Sequence, residues 1–173
     1  MNRVAFFLLL MFSVQVHAQR FIGQNGKIVF FSEAPIENIS AVNTKVSAVF
    51  DASTSDLVFQ LNISDFVFKK ALMQEHFNEN YLESDIYPRS IFSGKVIASQ
   101  NGKATVQGDL TIHGKKNTIK VNGSMIQNKH SIVISAVFSV MLEDYNIRVP
   151  KIVMYKIAEE IDIEVNIELE KMK

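Results

Sequence analysis

VQGDLTIHGKKNTIKVNG, residues 106–123, reads as two alternating runs around a polar centre. Val106, Gly108, Leu110 and Ile112 stand at every second position before the centre, and Ile119, Val121 and Gly123 after it. Period two puts each set on one face of a strand. Taking Gly114-Lys115-Lys116-Asn117 as a four-residue loop predicts a hairpin with His113 opposite Thr118, Ile112 opposite Ile119 and Leu110 opposite Val121. The apolar set then shares one face, as a correct register requires. Gly108 and Gly123 meet across that ladder. Glycine there either lets a strand bend at a barrel corner or leaves interior room for something else.

The same alternation recurs along the chain. Ile161, Ile163, Val165, Ile167 and Leu169 alternate with Asp162, Glu164, Asn166 and Glu168, a strand with one buried and one wet face. Ile132, Ile134, Ala136, Phe138, Val140 and Leu142 form a second such set, and Leu57, Phe59, Leu61 and Ile63 a third. Thr44, Val46, Ala48 and Phe50 give a fourth, and 28–31 is a short apolar run. Turn signals lie at 51–56, 100–102, 114–117 and 127–129. Many short strands with short connections predict an all-β antiparallel protein, a sandwich or a closed barrel. Residues 69–82 break the pattern: Leu72, Met73, His76, Phe77 and Asn80/Tyr81 recur at helical spacing, which predicts one short helix over about 70–82. Tyr87-Pro88 then returns the chain to extended structure.

The first 18 residues read as a secretory leader. Met1-Asn2-Arg3 is a short positive start, 4–16 is apolar, and Val16-His17-Ala18 offers small residues where a signal peptidase reads. The apolar stretch is too short to be a stable membrane anchor. Cleavage after Ala18 leaves 19–173 as a single domain, long enough for a sizeable core. Cleavage removes Arg3, leaving 17 of the 18 basic residues against 18 acidic, so the charge does not point to nucleic acid. The chain has no cysteine, which excludes disulfides, thiolate zinc sites and cysteine nucleophiles. The expectation is an exported protein, periplasmic or secreted.

Gly108-Asp109-Leu110-Thr111-Ile112-His113-Gly114, with a lysine-containing turn and a second strand after it, resembles the hairpin of the YceI-like family. His76, Tyr87-Pro88 and Phe92 resemble that family's helix, its Tyr-Pro bend and the strand beyond. The resemblance covers 72–123. It implies a lipocalin-like antiparallel barrel of about eight strands, exported by bacteria, with an elongated apolar cavity for a polyisoprenoid chain or similar lipid. Met73-Gln74 stands where family members often carry Arg-Asp.

Candidate chemistry is sparse. His113 is either a base or ligand contact, or a strand-end residue that satisfies turn hydrogen bonds; no nucleophile sits at a diagnostic spacing from it. Glu75, His76, Glu79 and Glu83 form a carboxylate–imidazole cluster, but paired-histidine metal signatures are missing, so neither metal nor cofactor is expected. Gly114-Lys115-Lys116 reads as a wet hairpin tip rather than a phosphate cradle. Thirteen phenylalanines without a tryptophan suit a core or the wall of an apolar cavity.

The leading expectation is therefore a non-enzymatic lipid carrier or sequestering barrel. Its expected lining is Phe59, Leu61, Leu72, Phe77, Phe92, Val106, Gly108, Leu110, Ile112, Ile119, Val121, Gly123, Ile134 and Phe138. The alternatives are a small exported enzyme using His76 or His113, and a ligand-free scaffold or interaction barrel. The expected partner is an apolar lipid such as an isoprenoid, with no nucleic acid; the oligomeric state stays open, a homodimer included. Intact-mass measurement of the exported protein is expected to give a chain starting at Gln19; a mass that retains residues 1–18 would refute the leader.

Overall fold

Each alternating run forms a strand. The computed structural model describes residues 19–33, 38–148 and 158–172; the leader expected over 1–18 lies outside them. The strands are β1 (Arg20–Ser32), β2 (Ile39–Asp51), β3 (Asp56–Asn62), β4 (Val67–Phe68), β5 (Arg89–Gln100), β6 (Lys103–Ile112), β7 (Lys115–Gln127), β8 (Ser131–Met141) and β9 (Glu160–Lys171). Their order in the sheet is β1-β9-β8-β7-β6-β5-β3-β2, with the two-residue β4 added beside β2. β1 also pairs with β2, from Arg20 opposite Asp51 to Ser32 opposite Ile39, and this closes the sheet into an eight-stranded antiparallel barrel. Closure removes the unpaired edges that an open sheet of this kind would expose.

The helix falls where the spacing predicts. α1 spans Ala71–His76, and a π-turn over Phe77–Tyr81 extends it. Among the described residues, no helix is long and apolar enough to cross a membrane. α1 sits at one end of the barrel with the segments 62–88 and 142–147. Phe66, Phe68, Phe77, Leu82, Leu142, Tyr145 and Ile147 belong to the apolar cluster there. At the other end the chain turns at 52–55, 101–102 and 128–130. A second cluster fills that end, with Phe21, Leu57, Ile132 and Leu169 only 0–2 % exposed. Beside it, hydrogen bonds from Ser53 and the Arg20 guanidinium hold the Asp51 carboxyl at about 2.

The hairpin register differs from the expected one. The turn between β6 and β7 is the two-residue His113-Gly114, both with positive φ (49° and 70°), and Ile112 pairs with Lys115. A two-residue turn with both central residues in the left-handed region matches the natural twist of a hairpin. Glycine takes that conformation freely, and histidine is among the residues that tolerate it. Gly108 therefore faces Ile119 and Gly123 faces Ala104, and the Gly108–Gly123 pairing is corrected. Gly108's partner moves from Gly123 to Ile119, an even number of positions, so the inward face survives the shift. Leu110 and Val121 are buried as that face requires.

Gly108 instead meets another glycine, Gly94 of β5. A Cβ on Gly108 would collide with the Cα of Gly94 and lie 2.5 Å from the Ser93 carbonyl oxygen. The glycines let two strands approach closely, so the reading of Gly108 as an opener of ligand space is corrected too. Gly108→Ala should cost about 1–3 kcal/mol of stability or prevent folding, because backbone cannot retreat as a side chain can. Urea unfolding measures it, and an unchanged midpoint would contradict this close approach.

Candidate functional site

Inward side chains from all eight barrel strands meet on a common axis, but they do not fill it. A cavity of about 170 Å³ remains. It runs from Leu57, Met125 and Ile134 at the plugged end to Phe66, Leu142 and Ile147 at the helix end. Thirty-three residues border this modest volume, so the space is long and narrow rather than round. No charged side chain is among them, and the polar ones are Gln60, Ser90, Ser124, Ser135 and Tyr145.

The wall is thin at one level of the barrel. Ala104, Gly123 and Ala136 are consecutive partners across β6, β7 and β8, and all three border the cavity. A Cβ on Gly123 would collide with the Ser135 carbonyl oxygen, so Gly123 lets β7 and β8 close up. With two methyl groups as its only side chains, this row leaves the axis unfilled there.

Twelve of the fourteen expected residues border the cavity: Phe59, Leu61, Phe77, Phe92, Val106, Leu110, Ile112, Ile119, Val121, Gly123, Ile134 and Phe138. Gly108 does not, for the reason above. Leu72 is a further correction: it is 58 % exposed. The inward stripe of the helix runs through Met73, His76, Phe77 and Tyr81, which border a second cavity of about 60 Å³ together with Phe30, Ile39, Phe68, Leu82, Leu142 and Ile147. Leu72 lies one residue to the side of that stripe. The expected lining lacked Ile28 and Phe30 of β1, Val46 of β2, and Ile161, Ile163 and Val165 of β9. The alternation of 161–169 carried that signal, but only closure turns β9 toward β5 and β6.

Tyr145 puts a phenol at the cavity wall, 2 % exposed. Burial pushes its pKa up, against the opposite pull of the neighbouring Asn117 amide. That amide is committed to the Asp144 carbonyl at 2.6 Å, which leaves the phenol oxygen without a well-formed bond among the described residues. Burial likewise pushes the Tyr81 phenol up.

The polar candidates are structural in their surroundings. His113 lies within the turn, and its ring is tied on three sides. Nδ1 meets the Tyr145 carbonyl oxygen at 3.2 Å, Nε2 meets Glu83 Oε2 at 2.7 Å, and the Tyr87 ring lies edge-on with centroids 4.4 Å apart. A carbonyl only accepts, so the Nδ1 contact is a hydrogen bond in which Nδ1 donates. These contacts join the hairpin tip to the helix exit and to the segment after β8. Glu83 is thus bonded to His113. The described residues contain no cluster of three or more metal-ligating side chains. Lys115 and Lys116 lie in β7, with Lys116 Nζ 3.9 Å from Asp109 Oδ2.

A profile of the YceI-like domain matches residues 11–169. No match is found among curated protein sequences. Solved structures share the fold at low identity. BcnA of Burkholderia cenocepacia is 18% identical with a TM-score of 0.72, covering 83% of this chain and 95% of its own. A polyisoprenoid-binding domain from Saccharophagus degradans, implicated in plant cell wall breakdown, is 9% identical with a TM-score of 0.75, covering 90% and 100%. The YceI protein of Campylobacter jejuni is 20% identical with a TM-score of 0.66, covering 80% and 87%.

His113→Asn keeps a residue that accepts positive φ but removes the ring and its bonds to Glu83 and Tyr145. It should lower stability by about 1–3 kcal/mol, seen in a denaturant melt. Glu83→Gln in the His113→Asn background should add little, since the partner is already gone.

Proposed function

The chain belongs to the YceI-like family, and we propose that its barrel binds one apolar chain, a polyisoprenoid or similar lipid, without covalent chemistry, as a carrier or sequestering protein. The observation that carries this reading is the long, narrow cavity bordered without a charged side chain. Such a space rejects polar metabolites, because a polar group loses its water there and finds few partners. Each buried methylene contributes about 0.8 kcal/mol, so an isoprene unit gains about 4 kcal/mol before the cost of immobilising the chain. Affinity then needs few polar contacts. The similar Saccharophagus degradans domain, described as polyisoprenoid-binding, supports the ligand class.

The residues proposed to touch the chain are the twelve expected ones that border the cavity, with Ile28, Phe30, Ile161 and Ile163 from the strands at the closure. A catalytic reading finds less support. His113 is held by a carboxyl and a backbone carbonyl, and His76 is exposed beside the smaller cavity. Export to the periplasm or beyond belongs to the same proposal; its support is the apolar leader with its Val16-His17-Ala18 site.

Organic extraction of the protein purified from its native host, followed by mass spectrometry, should release an apolar chain. Ala136→Phe should abolish that content, because its ring would occupy the cavity, while stability falls by no more than about 1–3 kcal/mol. Full lipid content in the folded variant would refute the interior site. An extract free of lipid from a protein that also fails to take up prenyl alcohols would refute the reading as a whole.

A further inference from the structure

The two apolar cavities share a wall, and Phe77 stands in it. Both the 170 Å³ and the 60 Å³ space are bordered by Phe77, together with Phe30, Leu82, Leu142 and Ile147. The Phe77 ring lies 5.5 Å from Phe66, which borders the larger space, and 4.9 Å from Phe68, which borders the smaller one. Of the five shared residues, Phe77 is the one whose ring packs on an aromatic from each space.

We propose that Phe77 partitions a single apolar path and so sets the length of chain the barrel takes. The proposal rests on the lipid-binding reading above and adds a determinant of chain length to it. An apolar cavity of about 150 Å³ holds a molecule the size of benzene. The larger space, at about 170 Å³, thus takes only a short stretch of a prenyl chain. A longer chain needs more room, and the plugged end has none, since Phe21, Leu57, Ile132 and Leu169 are packed there at 0–2 % exposure. The remaining direction is past Phe77, into the space beneath α1.

That space suits a chain end. Its wall includes Met73, a flexible side chain that adapts to irregular shapes. It reaches the exposed His76 and the half-buried Tyr81, so a hydroxyl or carbonyl at the chain's end would meet polar partners there. Phe77 also opens the π-turn, its carbonyl accepting from the Leu82 N–H at 2.9 Å. Turns of this kind recur at functional sites, and here both its first residue and the residue that closes it border the two cavities.

The test compares affinities for farnesol, a short prenyl alcohol, and solanesol, a long one, in the wild-type protein, Phe77→Ala and Phe77→Leu. Phe77→Ala should raise the solanesol-to-farnesol affinity ratio at least about tenfold, less than the gain from two further buried methylenes at about fourfold each. Phe77→Leu, the milder truncation, should move it the same way by less, and thermal melts show which variants are folded. An unchanged ratio in a folded variant, with both alcohols still bound, overturns the partition and leaves the lipid reading standing. Failure of the wild-type protein to bind either alcohol overturns both. Should Phe77→Ala not fold, an unchanged ratio in Phe77→Leu overturns the partition.

Discussion

Pairing of β1 with β2 constrains everything else in this molecule. It joins the first two strands of the chain, which stand at opposite ends of the sheet order and would otherwise be two open edges. Once the ladder is closed, every second residue of eight strands must point at one axis, and an eight-stranded barrel is just wide enough for side chains to fill it or for one ligand to lie inside. Which of the two occurs depends on the size of the inward residues at each level. Here the level of Phe21, Phe50, Leu57, Ile132 and Leu169 is filled, and the level of Ala104, Gly123 and Ala136 is not. The cavity is a consequence of small residues placed in register around a closed wall.

The glycines serve that closure. Gly94 and Gly108 allow β5 and β6 to meet backbone to backbone, and Gly123 does the same for β7 against β8. A side chain at these positions would force neighbouring strands apart. Space for a ligand comes instead from the alanines beside Gly123 and from the absence of large residues at that height. Strand geometry and ligand space are thus separate uses of small residues across β5 to β8.

The helix end is held by contacts between segments far apart in sequence. His113 at the hairpin tip links Glu83 at the helix exit to the Tyr145 backbone after β8, and Tyr87 packs its ring against the same turn. These ties keep α1 over the barrel mouth, where Phe77 meets Phe30, Phe66 and Phe68. The position of Phe77 between two apolar spaces therefore depends on a histidine whose chemistry is structural.

Alternation is a local property, and the sequence by itself determined what alternation can determine. Residues 57–61, 106–112, 132–140 and 161–169 announced which side chains face inward, because successive side chains of a strand point to opposite faces whatever the strand pairs with. For that reason the inward face of the 106–123 hairpin was legible even with its register misplaced: the shift was even. The short helix was legible from its change of period. Register was not, because His113-Gly114 makes a turn only when both residues take positive φ, and Tyr87 packed against that turn comes from a distant part of the chain. Nor could the sequence tell that Gly108 meets Gly94, that Leu72 stays outside while Met73 turns in, or that β9 and β1 complete the wall. Those facts depend on which strands become neighbours, and tertiary structure alone decides that, because closing a ladder joins residues that no local pattern connects.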